Sequence, residues 1–171
     1  MAPVVLWIDE LEKAFASGGS EDGGVSQRIL GSFLSWLQDR RGDVFVVATA
    51  NDVGKLPPEF LRKGRFDEIF FVDLPSPATR AEILRIHAGK RSLQLTDPEV
   101  MQLTSRCDGF SGAEIEQAVV SAVYAAHAAG RTVGAPDVLR EIDGTRPLSV
   151  VMAEKVAELR EWAAERTVPA N

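Results

Sequence analysis

The chain has 171 residues, which suits one domain or one domain with a small appended one. Its 25 acidic and 19 basic residues give a net charge of −6, which argues against a basic nucleic-acid-binding surface. A single cysteine excludes an internal disulfide, and two histidines leave little for a histidine-based metal site. No apolar stretch reaches the roughly 18 residues of a membrane span, and no signal peptide is recognisable, so we expect a cytoplasmic location.

Three short apolar runs in the first half predict β-strands, at 4–8, 44–48 and 69–72. The runs are continuous rather than alternating, which is typical of parallel strands that are covered on both faces. Between the first two runs, five apolar residues recur at helical spacing and predict an amphipathic helix: Ile29, Leu30, Phe33, Leu34 and Leu37. The first 75 residues are therefore predicted to be α/β.

After the prolines at positions 75 and 77, the pattern becomes helical and no further strand is predicted. Ser111 and Glu114 form a predicted capping box at the start of one helix. The other predicted helices are at 79–88, at 98–106, after Pro136, and at about 151–166. We expect a parallel sheet in residues 1–75, an all-α bundle in residues 76–145 and a carboxyl-terminal helix in residues 146–171.

Polar side chains follow the first two predicted strands. Asp9 and Glu10 end the first strand, and Asn51 follows the second. The carboxyl ends of parallel strands are where α/β proteins place ligands. There an aspartate can hold Mg²⁺ through water and a glutamate can activate an attacking water. The alternative is an ordinary solvated strand end, and an asparagine is common in turns.

Two arginines, Arg62 and Arg65, flank Gly64 in a short basic segment. Arginine is well suited to the charge that develops on a transferring phosphoryl group. The alternative is a solvated basic turn that pairs with Asp67 or Glu68.

Together, the strand ending in DE, the strand ending in ATAN, and the segments LRKGRFD and FSGAEI resemble the AAA family of ATPases over about residues 4–144. The resemblance implies a P-loop-type parallel sheet followed by a helical lid, with ATP and Mg²⁺ as ligands. It implies that Asp9 organises Mg²⁺, Glu10 activates water and Asn51 is the sensor-1 asparagine. Arg62 and Arg65 correspond to arginine fingers that reach the ATP site of a neighbouring identical subunit in a ring, most simply a hexamer.

The resemblance also implies nucleotide-binding positions in the second half. His87 corresponds to a histidine near the ribose and base, and Gly112 and Ala113 to a pair near the adenine. The alternatives are a surface histidine and an ordinary helix N-terminus. The loop at 16–25 corresponds to the second pore loop of the family but lacks an aromatic residue. The tail after residue 146 resembles that of uncharacterised AAA proteins of cyanobacteria and chloroplasts.

The sequence contains no phosphate-binding P-loop of the form G-x-x-x-x-G-K-[ST]. Gly54-Lys55 and Gly89-Lys90 each lack the first glycine and the final serine or threonine. The resemblance therefore implies the carboxyl-terminal part of an ATPase module, with an incomplete parallel P-loop-type sheet followed by a small all-α lid bundle. Alone, it should be inactive, bind ATP weakly, and be poorly stable or associate through unpaired strand edges, which a P-loop-bearing segment would cover.

The sequence leaves three classes of function to compare. The first is part of an ATPase ring that moves a macromolecular client of unknown identity. The alternative is a non-hydrolysing assembly or adaptor module derived from an AAA domain. A hydrolase or metal-dependent phosphatase is disfavoured, because there is no G-x-S-x-G motif and no further carboxylate cluster. Cys107 has the pattern of a small, partly buried hydrophobe and no context of a nucleophile.

Overall fold

A computed structural model describes residues 3–15, 23–39, 43–62 and 64–170. The chain divides into two compact units, Met1–Ile69 and Phe70–Asn171. Positions 16–22 of the predicted pore loop lie outside the described residues, and so does Lys63. Among the described helices, none is long and apolar enough to cross a membrane.

The first unit is built on two parallel strands, β1 (Val4–Ile8) and β2 (Val44–Ala48), which pair in register from Val4 opposite Val44 to Ile8 opposite Ala48. Both strands have the bounds that the sequence predicts. Helix α1 (Leu11–Phe15) follows β1 directly, and helix α2 (Gly23–Asp39) precedes β2. The strand–helix–strand order of the prediction is therefore confirmed.

The core of the first unit lies between one face of this strand pair and the two helices. Ile8, Val46 and Ala48 pack against a buried cluster formed by Leu11, Leu34, Leu37 and Phe60. Phe60 comes from one of two short 3₁₀ turns, Val53–Lys55 and Pro58–Leu61, that follow β2. The ring centroids of Phe15 and Phe60 are 5.1 Å apart, a separation typical of packed aromatic pairs.

The opposite face of the strand pair is exposed. Val5, Trp7 and Phe45 have exposed fractions of 66%, 69% and 68%. The prediction that the strands are covered on both faces is wrong for this face, because no described element of the first unit packs on it. An apolar face of this kind is uncommon in a protein that functions as a free monomer.

The second unit begins with β3 (Phe70–Phe71), which is shorter than the predicted strand at 69–72 and pairs in parallel with β4 (Val168–Pro169). The backbone N–H of Ala170 donates to the Phe71 carbonyl over 2.9 Å, which extends this contact by one residue. The prediction that no strand follows residue 75 is wrong. A two-residue strand that contains a proline has too short a pattern to be recognised by its periodicity.

Four helices form the core of the second unit: α3 (Pro77–Gly89), α4 (Asp97–Arg106), α5 (Gly112–Ala128) and α6 (Ala135–Gly144). The predicted capping box of α5 is present, because Ser111 accepts from the Glu114 N–H over 3.3 Å and its own N–H donates to the Glu114 carboxylate over 2.7 Å. Cys107 is fully buried in this core, and burial raises the pKa of its thiol to about 11. Cys107 therefore packs as the small hydrophobe that the sequence predicts, but it is fully rather than partly buried.

The last predicted helix is divided in two, α7 (Leu148–Val151) and α8 (Ala153–Ala163). The break lies at Met152, whose φ of −122° and ψ of 35° are outside the helical region. The helix that the sequence predicts as continuous is therefore interrupted near its start, and Met152 is 41% exposed. Arg160 of α8 donates from Nε and Nη2 to the Asp73 carboxylate over 2.9–3.0 Å, which connects this helix to the segment after β3.

The helical bundle also contains a buried carboxylate. Asp137 of α6 is 3% exposed and accepts two hydrogen bonds from the Arg131 guanidinium, over 2.7 and 2.6 Å. It also accepts from the Gly134 N–H over 3.0 Å at the start of the helix. These donors hold the pKa of Asp137 well below its ordinary value.

Asp137 is therefore expected to make the helical bundle sensitive to acid. A carboxylate with a lowered folded-state pKa contributes stability above its unfolded pKa of about 3.9, and this contribution is lost as the pH falls below that value. Asp137→Asn should lower the midpoint temperature of unfolding at pH 7. Between pH 5 and pH 2 the midpoint temperature should decrease less in Asp137→Asn than in the native chain. Thermal unfolding followed by far-UV circular dichroism measures both, with the exposed Glu161→Gln as control. Parallel pH curves for Asp137→Asn and the native chain would contradict the assignment.

Candidate functional site

The carboxyl ends of β1 and β2 are joined beyond the strands themselves. The Thr49 N–H donates to the Ile8 carbonyl over 2.9 Å, and the Leu11 N–H donates to the Thr49 carbonyl over 2.8 Å. The two strand ends are therefore held side by side at the edge where parallel sheets place their ligands. The structure brings Asp9, Glu10 and Asn51 to this edge.

The hydroxyl of Thr49 connects the two acidic residues. It accepts from the Glu10 N–H over 3.0 Å and donates to Asp9 Oδ1 over 2.5 Å. A hydroxyl that donates and accepts at once fixes both groups relative to each other. Thr49 therefore orients Asp9 while it holds the backbone of Glu10.

Glu10 lies in an unusual backbone conformation, with a φ of +51°. The left-handed region is rarely occupied by residues other than glycine and costs about 1–2 kcal/mol, so it persists where surrounding contacts enforce it. The side chain is held as well: Asn51 Nδ2 donates to Oε1 over 3.1 Å, and Lys13 Nζ lies 2.7 Å from Oε2. Hydrogen bonding to Glu10 raises the pKa of Lys13, which keeps the ammonium group charged.

Glu12, two residues further on, is a buried carboxylate at the same turn. It is 4% exposed, and its Oε1 accepts from the Asn51 N–H over 3.1 Å. Its Oε2 has no hydrogen-bond partner within the described residues. Asn51 thus contacts two carboxylates, Glu10 through its side chain and Glu12 through its backbone.

The two arginines differ in their surroundings. Arg62 is exposed and follows the second 3₁₀ turn, where its N–H donates to the Glu59 carbonyl over 3.4 Å. Arg65 is half-buried, and its Nη1 donates to the Leu34 carbonyl of α2. Between them, Gly64 has a φ of +90°, which favours glycine and turns the chain. The guanidinium of Arg65 therefore contacts α2.

His87 lies on α3 of the second unit and is held by its neighbours. Its Nδ1 is 3.1 Å from Glu116 Oε1, and Arg91 Nη2 donates to the same oxygen over 3.0 Å. The hydrogen bond from Arg91 lowers the pKa of Glu116, so this carboxylate stays charged. The His87 side chain is only 15% exposed, so it is not a freely solvated surface histidine.

Gly112 and Ala113 are the first two residues of α5, as the capping box predicts. A Cβ on Gly112 would lie 3.4 Å from Ile83 Cδ1, at the edge of ordinary contact, so the space beside this glycine is limited on the side of α3. Ala113 is exposed. His87, Gly112 and Ala113 belong to the second unit, whereas Asp9, Glu10, Asn51 and the arginines belong to the first.

No group of three or more histidine, cysteine, aspartate or glutamate side chains suited to a metal ion occurs among the described residues. Asp9 is exposed at the strand end, and one of its oxygens is engaged by Thr49. A single carboxylate suits Mg²⁺, which usually keeps several waters and is bound jointly by one or two carboxylates and substrate phosphates. The donor set fits Mg²⁺ held in that way and does not fit a metal site made by this chain alone.

Sequence reasoning missed Thr49, Glu12 and Lys13. Thr49 could have been identified as a hydroxyl at the end of β2, next to the predicted site. Glu12 continues an acidic run in the segment DELE, but its burial and its contact with a residue 39 positions away are not visible in the sequence. Lys13 is one helical turn after Glu10, a spacing that permits an ion pair.

Comparison with known proteins identifies a single family. Residues 1–74 match the family model described as "ATPase family associated with various cellular activities (AAA)". The AAA domain-containing protein ycf46 of Pyropia yezoensis is 44% identical over 169 residues, covering 96% of this chain and 34% of that protein. The proteasome-activating nucleotidase of Aeropyrum pernix is 37% identical over 150 residues, covering 83% of this chain and 36% of that protein. The chain therefore spans about a third of the length of these curated relatives.

Among solved structures, the AAA domain of FIGL-1 in complex with ADP superposes with a TM-score of 0.79 at 21% identity, covering 97% of this chain and 59% of that one. At this identity the likeness shows the fold alone. It confirms the predicted fold class, an incomplete α/β sheet followed by a helical lid. The ycf46 matches also confirm the predicted resemblance of the tail, since they extend over nearly the whole chain.

The hydroxyl of Thr49 is expected to hold the Glu10 turn together. Thr49→Val keeps the shape of the side chain but removes an acceptor for the Glu10 N–H and a donor to Asp9. The free energy of opening at the Glu10 amide, measured by hydrogen exchange, should fall by about 1–3 kcal/mol. Thr49→Ser keeps the hydroxyl and should retain most of the protection. Equal protection in all three proteins would show that the hydroxyl does not hold the turn.

Proposed function

The chain belongs to the AAA family, and we propose that it supplies the water-activating, sensing and intersubunit residues of an ATP-hydrolysing module. The observation that carries this proposal is the hydrogen bond from Asn51 Nδ2 to Glu10 Oε1, made across the ends of two parallel strands. A carboxylate and an amide in contact at this edge can bind one water molecule between them and the terminal phosphate of ATP.

In the proposed reaction, water attacks the γ-phosphorus of ATP, its proton passes to the Glu10 carboxylate, and ADP leaves with the electron pair of the broken bond. Each carboxylate oxygen has two lone pairs. Glu10 can therefore accept from the water while it retains its contacts with Asn51 and Lys13. Asn51 orients the Glu10 carboxylate and offers its remaining amide hydrogen to the phosphate or the water.

Asp9 is the residue proposed to hold Mg²⁺ through water, with the phosphates of ATP completing the coordination. When bound, Mg²⁺ neutralises charge on the phosphates. Asp9 is oriented for this role by the Thr49 hydroxyl, which occupies one carboxylate oxygen and leaves the other available. His87, with Gly112 and Ala113 at the start of α5, is proposed to contact the ribose and base.

We propose that the phosphate-binding loop comes from polypeptide outside these 171 residues, since this sequence contains no P-loop. The exposed apolar face with Val5, Trp7 and Phe45 supports a sheet that other chain segments cover. Subunits would assemble in a ring, most simply a hexamer, and use hydrolysis to move or remodel a macromolecular client. Exposed Arg62 is suited to reach a neighbouring subunit, whereas Arg65 must first release the Leu34 carbonyl.

Replacing the proposed base tests the assignment directly. In the protein that carries this chain together with a P-loop, Glu10→Gln should retain ATP binding and lower turnover by about 10²–10⁴-fold, because the amide cannot take the proton. Phosphate release and nucleotide binding measure the two properties. Undiminished hydrolysis would remove Glu10 from this role, and a native assembly that never hydrolyses ATP would favour the adaptor function.

The proposed trans action of Arg62 can be tested by mixing two inactive variants. Arg62→Ala should lower turnover by about 10³-fold or more. An Arg62→Ala subunit still has Glu10, and a Glu10→Gln subunit still has Arg62, so mixed assemblies should regain part of the activity where the two meet. Absence of any recovery across mixing ratios, in assemblies shown to contain both variants, would place Arg62 outside the neighbour's site.

A further inference from the structure

We propose that Glu12 is a positioning residue, whose buried carboxylate fixes the backbone of Asn51 and thereby holds the Asn51 side chain on Glu10. This inference rests on the proposed function of the Glu10–Asn51 pair and adds a residue to it. Glu12 would touch neither ATP nor the attacking water, and it would act only through Asn51.

The burial of Glu12 is the first observation. Its exposed fraction is 4%, although it is the second residue of a five-residue helix at the edge of the unit. Burying a carboxylate with incomplete hydrogen bonding is costly, and Oε2 has no partner among the described residues. An apolar side chain of similar size would fill the same volume without the cost of burying a carboxylate. The need to fill this volume therefore does not explain why the residue carries a hydrogen-bond acceptor.

The second observation is the connection that the carboxylate makes. Glu12 Oε1 accepts a hydrogen bond from the Asn51 N–H over 3.1 Å. Asn51 Nδ2 then donates to Glu10 Oε1, also over 3.1 Å. Asn51 is therefore held by its backbone and by its side chain to two carboxylates of the same turn.

The geometry gives each contact a separate task. The hydrogen bond to Glu12 fixes the position of the Asn51 backbone after the end of β2. The hydrogen bond to Glu10 is made by the Asn51 side chain, whose position depends on that backbone. Asn51 is itself exposed, so few other contacts restrain it. Without the Glu12 acceptor, the Asn51 amide group would sample more positions, and fewer of them would place it on Glu10. Misplacement of about 1 Å at a reacting centre can cost two orders of magnitude in rate.

Two substitutions of similar volume separate the acceptor from the space that it occupies. Glu12→Gln keeps an oxygen that can accept from the Asn51 N–H, whereas Glu12→Met fills the space with an apolar chain and has no comparable acceptor. Methionine is well tolerated in buried positions, so this variant is expected to fold. Glu161→Ala, on the exposed surface of α8, is the control for loss of a glutamate elsewhere.

The first measurement is ATP turnover in the protein that carries this chain with a P-loop. Glu12→Met should lower kcat about 10–100-fold and change KM for ATP by less than about twofold, because the residue positions a catalytic group and does not bind substrate. Glu12→Gln and Glu161→Ala should stay within about threefold of the unaltered protein. Native kcat in Glu12→Met, or an equal loss in Glu12→Gln and Glu12→Met, would overturn the proposal.

The second measurement needs no ATP. In the nucleotide-free protein that carries this chain with a P-loop, hydrogen exchange at the Asn51 amide should be at least about tenfold faster in Glu12→Met than in the unaltered protein or in Glu12→Gln. Unchanged exchange in Glu12→Met would overturn the proposal independently of activity. If exchange responds as expected but the unaltered P-loop-containing protein does not hydrolyse ATP, the proposed function fails and the positioning contact stands.

Discussion

Parallel pairing of β1 with β2 is the constraint from which the geometry of the site follows. The register places Ile8 opposite Ala48, so the residues after each strand emerge at the same edge. Two further backbone bonds at Thr49 continue this pairing into the turn. Because the pairing is made by the backbone, it does not depend on which polar side chains follow. Asn51 is brought within hydrogen-bonding reach of Glu10, although 41 positions separate the two residues in the sequence, and Asp9 lies at the same edge.

The two units are supported in different ways. The helical bundle of the second unit encloses a continuous apolar core with fully buried members such as Leu84, Ile115 and Val138. The strand pair of the first unit buries one face and exposes Val5, Trp7 and Phe45 on the other. Apolar burial stabilises by about 25 cal/mol per Å², so the first unit has stabilisation still to gain from whatever covers that face. The positions of the site residues in this unit are therefore held mainly by hydrogen bonds rather than by burial in an apolar core.

Much of this arrangement was predictable because its determinants are local. The runs at 4–8 and 44–48 have strand length and apolar continuity, and Ser111 with Glu114 is a capping motif read within four residues. The assignment of Asp9, Glu10 and Asn51 to one edge follows from strand direction alone. These predictions needed no knowledge of distant packing.

The features that escaped prediction depend on distant contacts. Strand β4 exists through its pairing with β3, almost 100 residues earlier, and its own two residues carry no pattern. The break at Met152 interrupts a helix that the sequence predicts as continuous. Glu12 belongs to an acidic run that suggests exposure, yet it is buried because the end of β2 lies over it. For such residues, the chemical role is set by the partner, and the partner is known only once the chain is folded.

The left-handed backbone of Glu10 shows how the site uses these contacts. A φ of +51° in a glutamate costs about 1–2 kcal/mol, which a glycine at this position would avoid. The conformation is enforced by the Glu10 N–H bond to Thr49 and by the bond from the Lys13 N–H to the Glu10 carbonyl, over 2.8 Å. The reversal of the chain at this residue begins α1 immediately after β1, while the side chain stays at the strand edge. The strain is thus a consequence of placing a carboxylate where the chain turns, and the hydrogen bonds that Glu10 makes with Thr49, Asn51 and Lys13 offset it.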